Sequence, residues 1–159
     1  IEEASALALV GVKDQGVRVR FQFGPTVDLV LADKVQIQQV LLNLMRNAVE
    51  AMEASPKREL TISTLPAEQD MIAISVADTG CGIAATQLPM IFDRFFSYPP
   101  SSGSGIGLAL CKEIINAWNA SIRVVSRELK YTVFILEFPR VQPAAPPVAR
   151  TVQPVWLSP

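Results

Sequence analysis

The chain has 159 residues, half of them hydrophobic, and its 14 basic residues nearly balance its 15 acidic ones. This composition predicts one domain with a substantial core and argues against a nucleic-acid partner, which needs a basic excess, and against disorder over most of the length. The sequence contains no histidine, which excludes Ser-His-Asp and Cys-His catalysis, histidine-ligated metals and imidazole general bases.

The first part of the chain is predicted to form a helix, two strands and a long second helix. Residues 1–13 have the spacing of an amphipathic helix, and residues 17–23 alternate with the period of a half-buried strand. Residues 29–31 predict a second, short strand. Asp33 then stands where it can cap a helix that runs to about Glu53.

The second part predicts four strands and one further helix. The elements in order are strands at 59–65 and 71–77 joined as a hairpin by residues 66–70, a short helical piece at 87–92, a helix at 105–118, and strands at 121–126 and 131–138. This order predicts an α+β fold, a two-layer α/β sandwich in which helices cover one face of a mixed sheet. We expect the domain to occupy residues 1–140, followed by an extended Pro- and Ala-rich tail at 141–159.

The long helix carries two asparagines on one face. Asn43 and Asn47 are four residues apart, so they lie one helical turn from each other. Asparagine is a poor helix former because its side chain competes for backbone hydrogen bonds. The pair is explained either by hydrogen bonds to a neighbouring loop or by a ligand. The apolar stripe of the same helix is formed by Val40, Leu41, Leu44, Ala48 and Ala51.

Two glycine-rich segments could approach such a ligand. Residues 78–83, Asp-Thr-Gly-Cys-Gly-Ile, directly follow a predicted strand, where a carboxylate can accept from an exocyclic amine, although an Asp-Gly turn is the alternative. Residues 103–108, Gly-Ser-Gly-Ile-Gly-Leu, open a predicted helix whose backbone N–H groups attract phosphate, although a flexible linker is the alternative. The second segment is neither a Walker A loop nor a good dinucleotide fingerprint.

The order of these features is more specific than any one of them. An Asn-x-x-x-Asn helix, the segment 78–83, an aromatic cluster of Phe92, Phe95 and Phe96, and the segment 103–108 follow one another. They resemble the N, G1, F and G2 boxes of the ATP-binding catalytic domain of bacterial sensor histidine kinases, in the gyrase, Hsp90, histidine kinase and MutL superfamily. The resemblance covers about residues 1–139 and is greatest to the FixL type. It implies the Bergerat-type ATP-binding fold.

The resemblance also implies a Mg-ATP site. Asn47 would coordinate Mg²⁺, to which an amide oxygen is a suitable hard ligand, and Asn43 would contact the phosphate side. Asp78 would accept from the adenine amino group, and Gly82 would let the base approach. The three phenylalanines would pack the base of the lid, unless they are plain core residues. The other implied nucleotide-binding positions are Gly80, Ile83, Phe95, Gly103, Ser104, Gly105, Ile106, Gly107 and Leu108.

Asn43 separates a kinase from an ATPase in this comparison. In the ATPase branches a glutamate polarises water at this position, and an amide cannot act as a general base. The resemblance therefore implies that Asn43 and Asn47 serve transfer of the γ-phosphoryl group to a histidine on a separate dimerisation domain of the same kinase, with a response regulator as an indirect partner. We expect the isolated domain to be monomeric. A superfamily ATPase and a partner-docking module without transfer are the alternatives.

The sequence departs from the family pattern at three places. Residues 97–102 contain no lysine or arginine in the lid, where many relatives carry one, so ATP affinity and transfer rate are open. Trp118-Asn119-Ala120 replaces the usual His-Gly-Gly, and Arg127-Glu128-Leu129-Lys130 replaces a glycine-rich turn. We expect these last two changes to affect stability or turn geometry rather than chemistry.

Two further features bear on the setting of the chain. No apolar run approaches the roughly 18–20 residues of a membrane span, and no signal peptide is visible, so we expect no direct membrane contact. Cys81 and Cys111, the two cysteines, lack the spacing of metal ligands or of a redox pair. A reducing, cytoplasmic setting is the simplest expectation.

Overall fold

The computed structural model describes residues 16–24, 30–97 and 104–141. The helix predicted at 1–13, and the predicted tail apart from its first residue, lie outside the described residues. Neither α-helix in the described part combines the length and the apolar character needed to cross a membrane. The described elements are β1 (Arg18–Gln22), α1 (Lys34–Ala51), β2 (Glu59–Ala67), β3 (Met71–Asp78), a 3-10 turn (Leu88–Met90), α2 (Gly107–Ala117), β4 (Ser121–Arg127) and β5 (Tyr131–Pro139).

The five strands form one mixed sheet in the order β1-β2-β3-β5-β4. β1 runs parallel to β2, and every other pair is antiparallel. Along the central strand β3, alternate residues are buried, which places one face of the sheet against the helices. α1 packs on β2 and β3, and α2 packs on α1 and β4. The predicted two-layer α/β sandwich is confirmed.

Helix α1 begins as its sequence predicts. The Asp33 carboxylate accepts a hydrogen bond from the backbone N–H of Gln36 at 2.9 Å, which satisfies one of the free donors of the first turn. The helix buries its apolar stripe except at Ala51, which is only half-buried, and Leu41 and Leu44 are at most 1% exposed. Burial of such a side chain contributes about 1.5–3 kcal/mol, so packing on the sheet is the main force that holds this helix.

The prediction of a strand at residues 29–31 is wrong where the structure describes it. Val30 forms only an isolated antiparallel bridge with Arg140, and Leu31 is 74% exposed. The reason is that helix α1 begins only a few residues later. Since Asp33 is already the cap of that helix, the residues between the Val30 bridge and the cap are too few to continue as a strand.

The β2–β3 hairpin is confirmed, but its turn is shorter than predicted. β2 continues to Ala67, so Pro66 lies inside a strand and pairs with Ile72. Proline is tolerated there because the pairing of β1 with β2 ends at Ser63, which leaves that side of Pro66 without a ladder partner from β1. The remaining turn uses Gln69 and Asp70 with left-handed φ angles of 56° and 58°, as hairpin turns of the primed types require.

The other predicted elements are confirmed with small changes in their bounds. The helical piece expected at 87–92 is the 3-10 turn at Leu88–Met90, and the helix expected at 105–118 is α2, Gly107–Ala117. The last hairpin, β4 with β5, is one residue longer at the ends of its strands than predicted.

Candidate functional site

One face of α1 connects the two glycine-rich segments. Asn43, Asn47 and Ala51 follow one another at intervals of four residues and therefore lie in one row. At one end of the row, a Cβ on Gly107 would come within 2.6 Å of Asn43 Oδ1. At the other end, a Cβ on Gly80 would come within 2.7 Å of the Ala51 carbonyl oxygen. The row spans about 12 Å at 1.5 Å per residue, so a ligand that contacts both ends must be elongated.

Asp78 ends the central strand and is almost fully buried, with 4% of its surface exposed. Burial raises the pKa of its carboxyl to about 6, while hydrogen bonds from the backbone N–H groups of Gly80 and Thr132 act in the opposite direction. The Gly80 N–H donates to Oδ1 at 2.8 Å. Near pH 7 the carboxyl is therefore mostly ionised, and it is a strong hydrogen-bond acceptor held in a fixed position.

The loop that follows Asp78 is fixed to the end of α1 and to the start of β2. The Thr79 hydroxyl donates to the Lys57 carbonyl at 2.7 Å and accepts from the Glu59 N–H at 3.0 Å. The Cys81 N–H donates to the Ala51 carbonyl at 3.0 Å. These bonds place the glycines of segment 78–83 directly beside the row of α1.

The turn between β4 and β5 lies against the same loop. Gly82 has a φ of +69°, and a Cβ there would come within 2.2 Å of the Arg127 carbonyl oxygen. The N–H of Leu129 donates to the Cys81 carbonyl, and the N–H of Ile83 donates to Ser126 Oγ at 2.8 Å. The turn at residues 127–130 is therefore in contact with segment 78–83 through its backbone.

The described part of the second glycine segment packs on the aromatic loop. The Phe95 N–H donates to the Gly105 carbonyl at 2.9 Å, and a Cβ on Gly105, whose φ is +65°, would come within 2.6 Å of the Phe95 backbone. Ser104 and Ile106 are exposed beside it, Leu108 is half-buried against the core, and Gly103 lies outside the described residues.

The three phenylalanines do not share one environment. Phe92 is half-buried, makes an edge contact with Phe134 at 6.3 Å between ring centroids, and carries the Lys112 ammonium over its ring at 5.5 Å. Phe96 packs against the core. The core alternative is wrong for Phe95, whose side chain is 75% exposed. Its backbone has a φ of 67° and is in close contact with Gly105.

The two asparagines differ in their hydrogen bonds. Asn43 Oδ1 accepts from the Arg46 guanidinium at 3.2 Å, and its Nδ2 donates to Cys111 Sγ at 3.3 Å. The Asn47 amide, half-buried beside it, has no hydrogen bond to any part of the chain that the structure describes. The described residues also contain no cluster of three or more His, Cys, Asp or Glu side chains. A metal here would therefore use the Asn47 amide together with oxygens of a ligand, which is the usual arrangement for Mg²⁺ at phosphates.

Residues 32–142 match a family model described as histidine kinase-, DNA gyrase B-, and HSP90-like ATPase. This chain belongs to that family. Over 117 residues the domain is 50% identical to the sensor protein FixL of Bradyrhizobium diazoefficiens, a match that covers 74% of the chain and 23% of FixL. Over 122 residues it is 43% identical to the signal transduction histidine-protein kinase AtoS of Escherichia coli, covering 74% of the chain and 20% of AtoS.

Solved histidine kinase structures share the fold of this ATPase-family domain. The catalytic domain of histidine kinase ThkA aligns with a TM-score of 0.74 and 28% identity, covering 87% of this chain and 89% of ThkA's. Full-length ShkA in complex with AMPPNP aligns with a TM-score of 0.78 and 26% identity, covering 91% of this chain and 30% of ShkA. The chain spans only about a fifth to a quarter of the length of the curated relatives FixL and AtoS.

Several residues that shape the site of this ATPase-family domain were not singled out from the sequence. Ser126 and Thr132 occupy inward-facing positions at the ends of β4 and β5, and their hydroxyls are 3.0 Å apart. A polar residue in an otherwise apolar inward row, close to a strand end, is the signal that could have identified both. No such signal marks Cys111, whose contact with Asn43 joins two helices that are far apart in sequence.

Proposed function

We propose that this chain binds Mg-ATP and donates the γ-phosphoryl group to a histidine on a separate dimerisation and phosphoacceptor domain of the same two-component sensor kinase. The observation that carries the proposal is the row Asn43–Asn47–Ala51, which joins the glycines beside Asp78 to the start of α2. An elongated ligand with a base at one end and phosphates at the other fits this arrangement. Membership of the ATPase family supports the choice of ATP.

The adenine end of the proposed site is Asp78. Its buried, mostly ionised carboxylate would accept a hydrogen bond from the exocyclic amino group of the base. The carboxylate is held in place by hydrogen bonds from the N–H groups of Gly80 and Thr132. Gly82 would let the base approach closely. Ile83 is half-buried against the core and would cover part of the base with apolar surface.

The phosphate end is formed by α1 and the start of α2. Asn47 would hold Mg²⁺ through its amide oxygen, and Mg²⁺, when bound, neutralises phosphate charge. Asn43 would contact the phosphate side. The first N–H groups of α2 have no partner within the helix and favour anions, so the segment from Gly103 to Leu108 would bind phosphate oxygens, with Phe95 supporting Gly105. Arg46, whose guanidinium contacts the Asn43 amide, provides a positive charge near this end.

The proposed chemistry is phosphoryl transfer rather than hydrolysis. Asn43 occupies the position at which the ATPase branches need a glutamate base, and an amide cannot take a proton from water. Positioning and charge neutralisation would then carry catalysis. The acceptor histidine must come from another domain, since this chain has none. We further propose that the domain, residues 1–140, is monomeric when isolated, acts in the cytoplasm without nucleic acid or direct membrane contact, and serves a response regulator indirectly.

A reconstituted transfer assay tests the proposal. The chain is mixed with a histidine-bearing dimerisation fragment from a FixL-type kinase and with Mg-ATP labelled in the γ position. We expect acid-labile phosphate on that histidine, dependent on Mg²⁺ and lost in Asp78→Asn. Arg20→Ala, on the exposed edge strand β1, is the matched control and should retain transfer. Release of inorganic phosphate without phosphohistidine would favour the superfamily ATPase, and nucleotide binding without either product would favour a docking module.

A further inference from the structure

Cys111 places its sulfur between the two helices of the proposed phosphate site. The residue lies one helical turn after Gly107 in α2 and is 2% exposed. Its Sγ accepts a hydrogen bond from Asn43 Nδ2 at 3.3 Å and donates to the carbonyl oxygen of Val40 at 3.9 Å. Both partners belong to α1, so the thiol bridges α2 to the turn that presents Asn43.

The donors and acceptors of this group favour one orientation of the Asn43 amide. A guanidinium can only donate, so the Asn43 atom that faces Arg46 must be Oδ1. The Cys111 proton is directed to Val40, so its sulfur lone pairs face Asn43 and require the N–H side of the amide. Rotation of the amide by 180° would set its N–H group against the guanidinium and its oxygen against the sulfur.

The sulfur is held in this position by the packing of α2 on α1. At the far end of α2, Trp118 Nε1 donates to Gln36 Oε1 at 2.8 Å. At the near end, Gly107 lies directly against the Asn43 amide. Contacts on both sides of Cys111 therefore hold α2 against α1, and the buried thiol faces Asn43 across this interface.

We propose that Cys111 is a positioning residue, whose thiol sets the orientation of the Asn43 amide so that an N–H of Nδ2 is directed to the phosphate end of the nucleotide. This inference rests on the function proposed above, in which Asn43 contacts the phosphate side. An amide nitrogen carries two protons. Because the thiol accepts one of them, the other remains for a phosphate oxygen, whereas an inverted amide would present its oxygen to the anion.

The alternative role of a buried cysteine is simple packing, since a buried thiol behaves as a small apolar group. The two roles predict different changes in the affinities for ATP and for adenosine. A packing defect between α1 and α2 lowers the free energy of unfolding, and another truncation in the same interface would reproduce its effect on binding. Loss of the amide orientation acts on phosphate contacts only, so it lowers the affinity for ATP and leaves that for adenosine, which has no phosphate.

The test compares Cys111→Ala, Cys111→Ser and a packing control, Ile115→Val. Ile115 is fully buried one turn further along α2. The Ile115→Val substitution removes a methyl group from the same helix and leaves the thiol beside Asn43 in place. Calorimetric titration of each variant with Mg-ATP and with adenosine gives both affinities. We expect Cys111→Ala to weaken Mg-ATP binding about five- to tenfold and adenosine binding less than about twofold. Cys111→Ser, which keeps an acceptor, should stay within about threefold of the wild-type protein, and Ile115→Val should leave the ratio of the two affinities unchanged.

A double-mutant cycle with Asn43→Ala completes the test. Once Asn43 is removed, Cys111→Ala should have no further effect on Mg-ATP affinity, because the thiol acts through the amide. Equal loss of ATP and adenosine binding in Cys111→Ala, or additive effects in the cycle, would overturn the inference. If the wild-type chain binds no Mg-ATP, the proposed function fails and this inference fails with it. If Asn43→Ala weakens ATP binding and Cys111→Ala does not, only the inference about Cys111 fails.

Discussion

Gly107 and Asn43 are in direct contact across the two helices. A Cβ on Gly107 would come within 2.6 Å of Asn43 Oδ1 and 2.9 Å of its Nδ2. The first residue of α2 can therefore only be glycine while the Asn43 amide keeps its place. This contact joins the second glycine segment to the asparagine row, and it makes the position of the amide sensitive to a single methyl group.

Substitution of Gly107 by alanine should separate ligand binding from stability. The methyl group would displace the Asn43 amide, which can rotate out of the way, so we expect Mg-ATP affinity to fall about tenfold while the fold persists. Alanine is also the better helix former by about 1 kcal/mol, which limits any loss of stability. Calorimetry and urea unfolding measure the two effects. Gly24→Ala, whose Cβ would lie 3.6 Å from Thr64 O, is the control, and an unchanged affinity in Gly107→Ala would contradict the placement of Asn43 at the phosphates.

Gly82→Ala should instead destabilise the domain. Its Cβ would meet the Arg127 carbonyl oxygen at 2.2 Å, and its φ of +69° is strained for any residue with a side chain. Because the neighbouring atom is backbone, the turn at 127–130 must shift, and we expect a loss of about 2–3 kcal/mol in the free energy of unfolding. Urea unfolding with Gly24→Ala as control measures it. A midpoint equal to that of the control would show that the turn does not pack on the loop.

The raised pKa of Asp78 predicts a pH dependence of stability. The folded-state pKa of about 6 lies above the ordinary aspartate pKa of 3.8, so between these values the folded state binds more protons than the unfolded state. Stability from this group is therefore greatest at low pH and falls as pH rises from about 4 through about 6, by at most about 3 kcal/mol. Urea unfolding of the wild-type protein and of Asp78→Asn between pH 4.5 and 7.5 isolates the effect.

In that comparison the wild-type protein should lose stability relative to Asp78→Asn as the pH rises. Mg-ATP binding should meanwhile be at least about tenfold weaker in the variant at pH 7.5, since the amide replaces an ionised acceptor with a weaker one. A stability difference that does not change with pH would show that the carboxyl is not penalised by burial. Unchanged affinity would show that the adenine does not reach Asp78.

Arg46→Ala tests the positive charge beside Asn43. The arginine is 68% exposed and its pair with Glu50 spans 3.7 Å, so its loss should change the free energy of unfolding by no more than about 0.5 kcal/mol. Mg-ATP affinity should fall about three- to tenfold at low salt, with a smaller effect at high salt, and adenosine affinity should stay constant. Arg20→Ala, another exposed and ion-paired arginine, is the control. A parallel fall in adenosine affinity would contradict a phosphate-directed role.

Most of the fold could be predicted because local patterns and tertiary packing agree. The alternation of β3 and the cap at Asp33 are both present in the structure as the sequence indicates. The prediction failed where pairing depended on distant residues. Leu31 lacks a strand partner because a helix begins soon after it, and Pro66 continues β2 because β1 has already ended. Neither fact is visible in a window of neighbouring residues.

The candidate site also contains residues that the sequence predicts and residues that it does not. Asn43, Asn47 and Asp78 were predicted as candidates from the order of the segments to which they belong, since each of them alone also fits a structural explanation. Their partners could not be found, because the thiol of Cys111 and the N–H of Thr132 meet them only after the helices and strands have packed. The same holds for the turn at 127–130, which touches Gly82 through a carbonyl group that every residue type possesses.

The strand order places the two ends of the proposed site in parts of the molecule with different rates of amide hydrogen exchange. Asp78 ends the central strand, paired on both sides by β2 and β5, so the amides around it should exchange only when the whole domain opens. The first amides of α2 have no partner within the helix and should exchange much faster. Bound nucleotide raises the stability of the whole domain, so it would slow exchange around Asp78 by the same factor as global opening. At Gly107 and Leu108, where exchange needs only local opening, the nucleotide would slow exchange through direct contact with the phosphates, so the two ends report overall stability and local contact separately.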